Sequence, residues 1–188
     1  MISGAGGLTQ WIGKTETQVD EASSKPLRAL AAALDRNDVD FEAGSVIPPC
    51  WHWLYFLSLP RQSEIGPDGH ARRGSFLPPA PLPRRMWAAS RLKWLVPLRV
   101  GQTITRSSRI VDMTSKDGRT GPLVFVCIRH EVSCDGDLAI IEEQDIAYRD
   151  APQARWSGTI ASCAAALRLA AGNISGSRSS VSLFRAHV

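Results

Sequence analysis

Five arginines and a histidine gather on one Gly- and Pro-rich stretch. Arg61, Arg72, Arg73, Arg84 and Arg85 lie in or flank residues 61–83, and Asp68-Gly69-His70 reads as a turn inside it. A guanidinium holds phosphate or carboxylate oxygens through a planar fork of donors. The chemistry open to such a segment is capture of an anionic ligand, with His70 as a further contact. A solvated basic loop fits the same residues. Long Gly/Pro loops are uncommon in compact domains, and many are functional.

A second cluster precedes it. Pro48-Pro49 is followed by Trp51, His52, Trp53, Tyr55 and Phe56. The prolines force an extended entry, and the aromatic run fits helix or strand equally. Trp51 and Trp53 are candidates for lining an apolar pocket, and core packing is the competing reading. A metal site at Cys127, His130 and Cys134 is disfavoured. On a strand, residues three apart point to opposite faces, whereas a tetrahedral site needs converging ligands; Cys127 is expected in the core. There is no G-x-S-x-G elbow, P-loop or G-x-G-x-x-G, and His52, His70, His130 and His187 have no local triad context.

The elements that must position these residues follow from periodicity. Leu27, Leu30, Ala31 and Leu34 form one helical face, predicting a helix over residues 24–35 with Ser23 or Ser24 as cap and Pro26 in the first turn. Met86, Ala88, Leu92, Trp94 and Val96 alternate with Arg91 and Lys93, the pattern of a strand with one buried face. Residues 103–113 read as a second strand, closed by a turn at Lys116-Asp117-Gly118. The apolar run Leu123 to Ile128 reads as a central strand. Asp135-Gly136 signals a tight hairpin into a last strand over residues 138–148. A helix followed by about four antiparallel strands is an α+β arrangement. Residues 151–188 turn to Ala, Ser, Gly and Arg, with a weak helix over 162–171 and a flexible stretch over 172–180.

Bulk properties narrow the function classes. The net charge of +4 over 188 residues is too small and too scattered for a DNA-binding protein. The four cysteines, Cys50, Cys127, Cys134 and Cys163, form no disulfide framework, so reduced thiols in a cytoplasmic protein are expected. Met1 to Thr9 lacks the pattern of a secretory signal, and no stretch reaches the ~20 apolar residues of a membrane span.

Longer motifs carry a resemblance. They are Pro48-Pro49-Cys50-Trp51-His52-Trp53, Arg73-Gly74-Ser75-Phe76-Leu77-Pro78-Pro79, Pro81-Leu82-Pro83-Arg84-Arg85-Met86-Trp87, Pro97-Leu98-Arg99-Val100-Gly101 and Glu142-Glu143-Gln144-Asp145-Ile146-Ala147-Tyr148-Arg149. In this order the chain resembles the N-terminal hotdog domain of the 3-methylfumaryl-CoA (mesaconyl-C4-CoA) hydratase and hydroxyacyl-thioester dehydratase group, of MaoC type. The resemblance runs from about Trp11 to Asp150. It implies a hotdog fold over residues 1–150, an antiparallel sheet wrapped around a helix, in a family that adds water reversibly to unsaturated acyl-CoA thioesters. The thioester is then the substrate, no cofactor is required, and Trp51, Trp53, His70, Arg72, Arg73, Arg84 and Arg85 are the candidate substrate contacts. Family members carry an Asp and a His five positions apart in a second hotdog half, where they hold and activate water. No Asp of this sequence has a His five residues later, so the resemblance assigns no catalytic residue here. It implies a substrate-side half that pairs with a copy of itself or with a separate catalytic half. A non-catalytic acyl-CoA-binding or assembly subunit is the alternative. Pairing is expected to cover an edge near Leu123 to Ile128.

Overall fold

The computed structural model describes residues 8–66, 69–119 and 121–151. The helix and flexible stretch expected beyond residue 160 lie outside them. The core element is one antiparallel sheet of five strands: β1 (Thr15–Glu21), β2 (Arg84–Trp94), β3 (Thr103–Gly118), β4 (Gly121–Cys134) and β5 (Asp137–Arg149). Their order in space is β1-β3-β4-β5-β2. One α-helix of ten residues is present among the described residues, α1 (Ser24–Ala33), and it packs on one end of the inner face.

β4 is central because its sequence permits burial along one whole side. Val124, Val126, Ile128 and Val132 alternate inward and are each at most 2% exposed. The hairpin to β5 turns at Asp135 and Gly136, with φ of 51° and 92°. Two left-handed central residues make the type I′ turn that matches strand twist. β3 and β4 run longer than their apolar patterns suggest, so the turn falls after Gly118 rather than within Lys116-Asp117-Gly118. A Cβ on Gly118 would sit 2.9 Å from Leu123 Cδ1 and 3.1 Å from Gly121 O, so a larger residue there makes the Leu123 side chain and the turn shift.

Several expectations shift. β1 is an unforeseen fifth strand. Its sequence, Thr-Glu-Thr-Gln-Val-Asp-Glu, has no apolar alternation because it is a sheet edge, with Val19 68% exposed. In β2 the register slips between Trp87 and Ala89. This bulge sets Trp87 opposite Ile146, on the side of Ser90 and Leu92, so strict alternation from Met86 fails. Trp94 and Val96 are also exposed rather than buried. Helix α1 stops at Ala33 because Asp35 turns left-handed (φ 52°), and Leu34 is left outside the core. Ser23 is the N-cap by position but makes no side-chain cap bond; its carbonyl accepts from Tyr55 Oη at 2.8 Å. The aromatic run is neither helix nor strand but a short 3-10 turn, Trp51–Leu54, between left-handed Cys50 and Phe56. Among the described residues the sheet edges are β1 and β2, whereas Leu123 to Ile128 lies between β3 and β5.

The inner face carries two apolar clusters. One joins α1 and the 3-10 turn through Leu27, Ala31, Trp51 and Phe56 to Ile104, Val132 and Ile140. The other joins Ala80 and Leu82 to Ile110, Val124, Val126, Ile146 and Tyr148. Leu27 is fully buried in the first. Leu27→Ala is expected to cost about 2–5 kcal/mol, read as a lower urea midpoint at unchanged slope.

Candidate functional site

Between the two apolar clusters runs a row of polar side chains. β3 pairs Ser108 with His130 of β4, and β4 pairs His130 with Glu142 of β5, so the three lie side by side across the sheet. His130 sits between Ile128 and Val132, while Ser108 and Glu142 each have one apolar neighbour two residues away, Ile110 and Ile140. Ser108 is 2% and Glu142 5% exposed. Buried polar groups cost stability unless bonded, and this row is largely bonded. Ser108 Oγ lies 2.8 Å from His130 Nδ1, and His130 Nε2 lies 3.4 Å from Gln144 Oε1. Because the Gln144 oxygen only accepts, His130 carries its proton on Nε2 and accepts from Ser108. Burial and the neighbouring Arg106 cation push the His130 pKa down, which fits that neutral tautomer.

Glu142 is the focus of the row. Its carboxylate accepts from Ser90 Oγ at 2.6 Å and from Trp53 Nε1 at 3.0 Å. His52 Nε2 stands 3.6 Å away. Trp53 is braced edge-on by Trp87 at 5.3 Å, and Trp87 Nε1 donates to Ser90 Oγ at 3.0 Å. The bulge in β2 therefore serves this carboxylate. Burial alone would raise the Glu142 pKa, but the neighbouring His52 and the Ser90 and Trp53 donors outweigh burial and hold it at about 2.

Beside the row opens a cleft of about 590 Å³. His70, Arg72 and Arg85 line it, with Phe56, Phe76 and Arg106 at its inner side. Arg106 is largely buried over the Phe56 ring at 4.9 Å; it donates to Gln18, while its Nε finds no partner among the described residues. Burial lowers its pKa. The Gly/Pro loop shapes the mouth. Arg72 N donates to Glu64 O at 2.9 Å and Gly66 N to His70 O at 2.7 Å, with Ile65 bridged to Ala71. This small hairpin carries His70 and Arg72 to the rim; Asp68 lies outside the described residues.

The other expected contacts are placed differently. Arg73 lines the cleft, but its guanidinium grips the carbonyls of Ala80, Leu82 and Pro83 at 2.9, 2.6 and 2.5 Å and stacks on Tyr148 at 4.9 Å. That makes it a clamp on the loop. Arg84 opens β2 on the exposed side and is not part of the cleft wall. Trp51 is core, 8% exposed. Trp53 reaches Glu142 rather than the cleft. Cys127 sits on the outer face beside Arg91 and Asp145 rather than in the core, its thiol pushed up to about 11 first by burial and then by Asp145. His130 is on the inner face, so the two diverge as their spacing requires.

Sequence reasoning missed Arg106, Ser108, His130, Glu142 and Gln144. The signal was present: a polar residue at the inward parity of an apolar strand, at the same cross-strand level in three successive strands.

Residues 50–185 match the hydroxyacyl-thioester dehydratase type 2 family. The chain is 44% identical over 140 residues to the mesaconyl-C(4)-CoA hydratase of Chloroflexus aurantiacus, an alignment covering 74% of the chain and 50% of that protein. The chain thus spans about half the length of the curated relative it matches. Among solved structures it is similar to the ChsH1–ChsH2 complex of Mycobacterium tuberculosis, with TM-score 0.57, 12% identity, and 79% of this chain and 94% of that one covered. It is also similar to the unliganded R-hydratase PhaJ1 of Pseudomonas aeruginosa, with TM-score 0.50, 14% identity and coverage of 74% and 83%. At these identities the likeness shows the fold, which is the hotdog.

The pKa of Glu142 lies below the ordinary 4.5. Its charge therefore contributes stability that is full above that value and lost as pH falls toward about 2. Glu142→Gln is expected to be less stable than wild type at neutral pH, with the gap in urea midpoint closing as pH falls. A gap independent of pH would show that the carboxylate charge contributes nothing.

Proposed function

The chain belongs to the hydroxyacyl-thioester dehydratase type 2 family, and we propose that it is the substrate-side hotdog half of an enoyl-CoA hydratase or 3-hydroxyacyl-thioester dehydratase, binding an acyl-CoA such as 3-methylfumaryl-CoA. The observation that carries this reading is the cleft, where Arg72, Arg85 and Arg106 stand with His70 around an opening between aromatic side chains. A CoA thioester asks for that combination. Its phosphates need forked donors at a rim, and its acyl and pantetheine parts need apolar contact further in. Arg73 holds the loop so that Arg72 keeps its place.

The chemistry of the family is proton transfer to and from carbon and water. Ser108 and His130 do not supply it to the cleft in this arrangement, since the histidine has both nitrogens engaged inside the sheet. The reading therefore gives this half binding and positioning, and leaves acid/base work to a second hotdog half. Edge strand β2 is where such a half can add. Trp87 and Trp94 are 56% and 45% exposed along it, and among the described residues no strand pairs with its outward edge. Either a second copy or a separate catalytic half answers that need. A reducing, cytoplasmic setting suits Cys50, Cys127 and Cys134, all free thiols. No helix among the described residues is long and apolar enough to cross a membrane.

Two measurements test the reading. Calorimetry with CoA is expected to show that Arg72→Ala with Arg85→Ala weakens binding at least about tenfold and flattens its salt dependence, while Arg84→Ala does neither. Equal losses in all variants would point to general surface charge. Light scattering on the purified chain at tens of micromolar is expected to show a dimer or larger species; a well-behaved monomer would remove β2 as a docking edge.

A further inference from the structure

The inner wall of the cleft holds a cation that nothing beside it neutralises. Arg106 of β3 lies over the Phe56 ring at 4.9 Å and donates through Nη2 to the Gln18 side chain. Among the described residues no carboxylate forms an ion pair with it. Glu16 and Glu142 act on it only at longer range. Its Nε is sealed in the wall without a partner. Nη1 makes no hydrogen bond among the described residues either, yet it is not one of the sealed atoms. Nη1 is therefore the donor that Arg106 offers to the cleft it lines. Other arginines are occupied: Arg73 by backbone carbonyls, and Arg91 by Glu143 and Asp145.

A guanidinium drawn out of water keeps its proton, so neutralisation does not relieve the cost of burying it. Stacking on Phe56 returns part of that cost. A bound anion would return more. Depth in the cleft decides which anion. Arg72 is exposed at the rim, whereas Arg106 rests on a ring that is 7% exposed. A hydrated phosphate suits the rim. The apolar lining further in, with Phe56, Phe76 and Leu77, suits an acyl chain. Glu16 lines the same cleft and opposes any anion that is not paired directly with a guanidinium. We propose that Arg106 selects thioesters whose acyl chain ends in a carboxylate, with Nη1 donating to a carboxylate oxygen at the inner end of the cleft. The proposal rests on the thioester reading and adds the acyl end to it. Addition of water across a double bond needs no charge at the far end of the chain. Arg106 thus decides which thioesters are held and takes no part in the reaction.

The test is calorimetry on the full chain with two thioesters of matched shape, succinyl-CoA and 4-methylpentanoyl-CoA. The second carries an isopropyl group where the first has its carboxylate. The wild-type chain is expected to bind succinyl-CoA about tenfold or more tighter, the scale of one hydrogen bond to a charged group. Arg106→Gln is expected to bring the two within about twofold of each other, through lost affinity for succinyl-CoA. Arg85→Ala is expected to weaken both and keep their ratio. Equal affinity of the wild-type chain for the two would overturn this proposal and leave the thioester reading standing, whereas no binding of either would overturn both. A preference that survives Arg106→Gln would also overturn it. So would a loss of free CoA binding in that variant as large as its loss of succinyl-CoA binding, which would put a phosphate on Arg106. Should the variant fail to fold, the Arg106 Nε–H resonance of the wild-type chain decides. It is expected to shift with succinyl-CoA and not with 4-methylpentanoyl-CoA, and equal shifts would contradict the proposal.

Discussion

A carboxylate buried in the middle of an apolar sheet face is the constraint around which this protein is arranged. Glu142 cannot stay ionised there without donors, because an isolated charge in a dry interior is far too costly. Its donors come from distant parts of the chain: Trp53 from the turn after Pro48-Pro49, and Ser90 from β2. Each donor brings a requirement. Trp53 needs the left-handed Cys50 and the 3-10 turn that follows it. Ser90 and Trp87 share a face because β2 carries a bulge. The aromatic segment and the edge strand are thus fixed to the sheet by one polar centre as much as by the apolar clusters on either side.

That centre also separates two openings of different chemistry. On the side of β1, the sheet and the Gly/Pro loop frame a cleft with guanidinium groups at its wall and aromatic rings beneath. On the side of β2's end, the walls are hydrocarbon with a single histidine. A polar row between two apolar clusters gives specificity of register, since slipping β4 or β5 by one residue would turn His130 or Glu142 to the outer face and break every bond of the row.

Much of the architecture was legible in the sequence because it rests on simple periodicities. The central place of β4, the Asp135-Gly136 turn and the position of α1 follow from a continuous apolar run, left-handed turn chemistry and a helical stripe. The resemblance of the ordered motifs pointed to the hotdog, which the structure has. β1 was not legible, since an exposed edge strand need not alternate. The bulge in β2 was not, since nothing in Trp-Ala-Ala marks an extra residue. For the site, the positions of Arg72, Arg85 and His70 around an opening were anticipated as a cluster on the loop. The division of labour among arginines was not, because whether Arg73 grips backbone carbonyls or faces a ligand depends on where Pro83 returns. Glu142 and His130 looked like ordinary strand polar residues until the register aligned them.

The central claim is that this hotdog half holds a CoA thioester in the arginine-walled cleft. Hydrogen–deuterium exchange of the full chain with and without saturating crotonyl-CoA tests it most directly. The account predicts slowed exchange of the backbone amides from Ile65 to Leu77 and at Arg85, with the segment from Trp94 to Leu98 unchanged. Protection confined to that latter segment, or no protection at all, would contradict it.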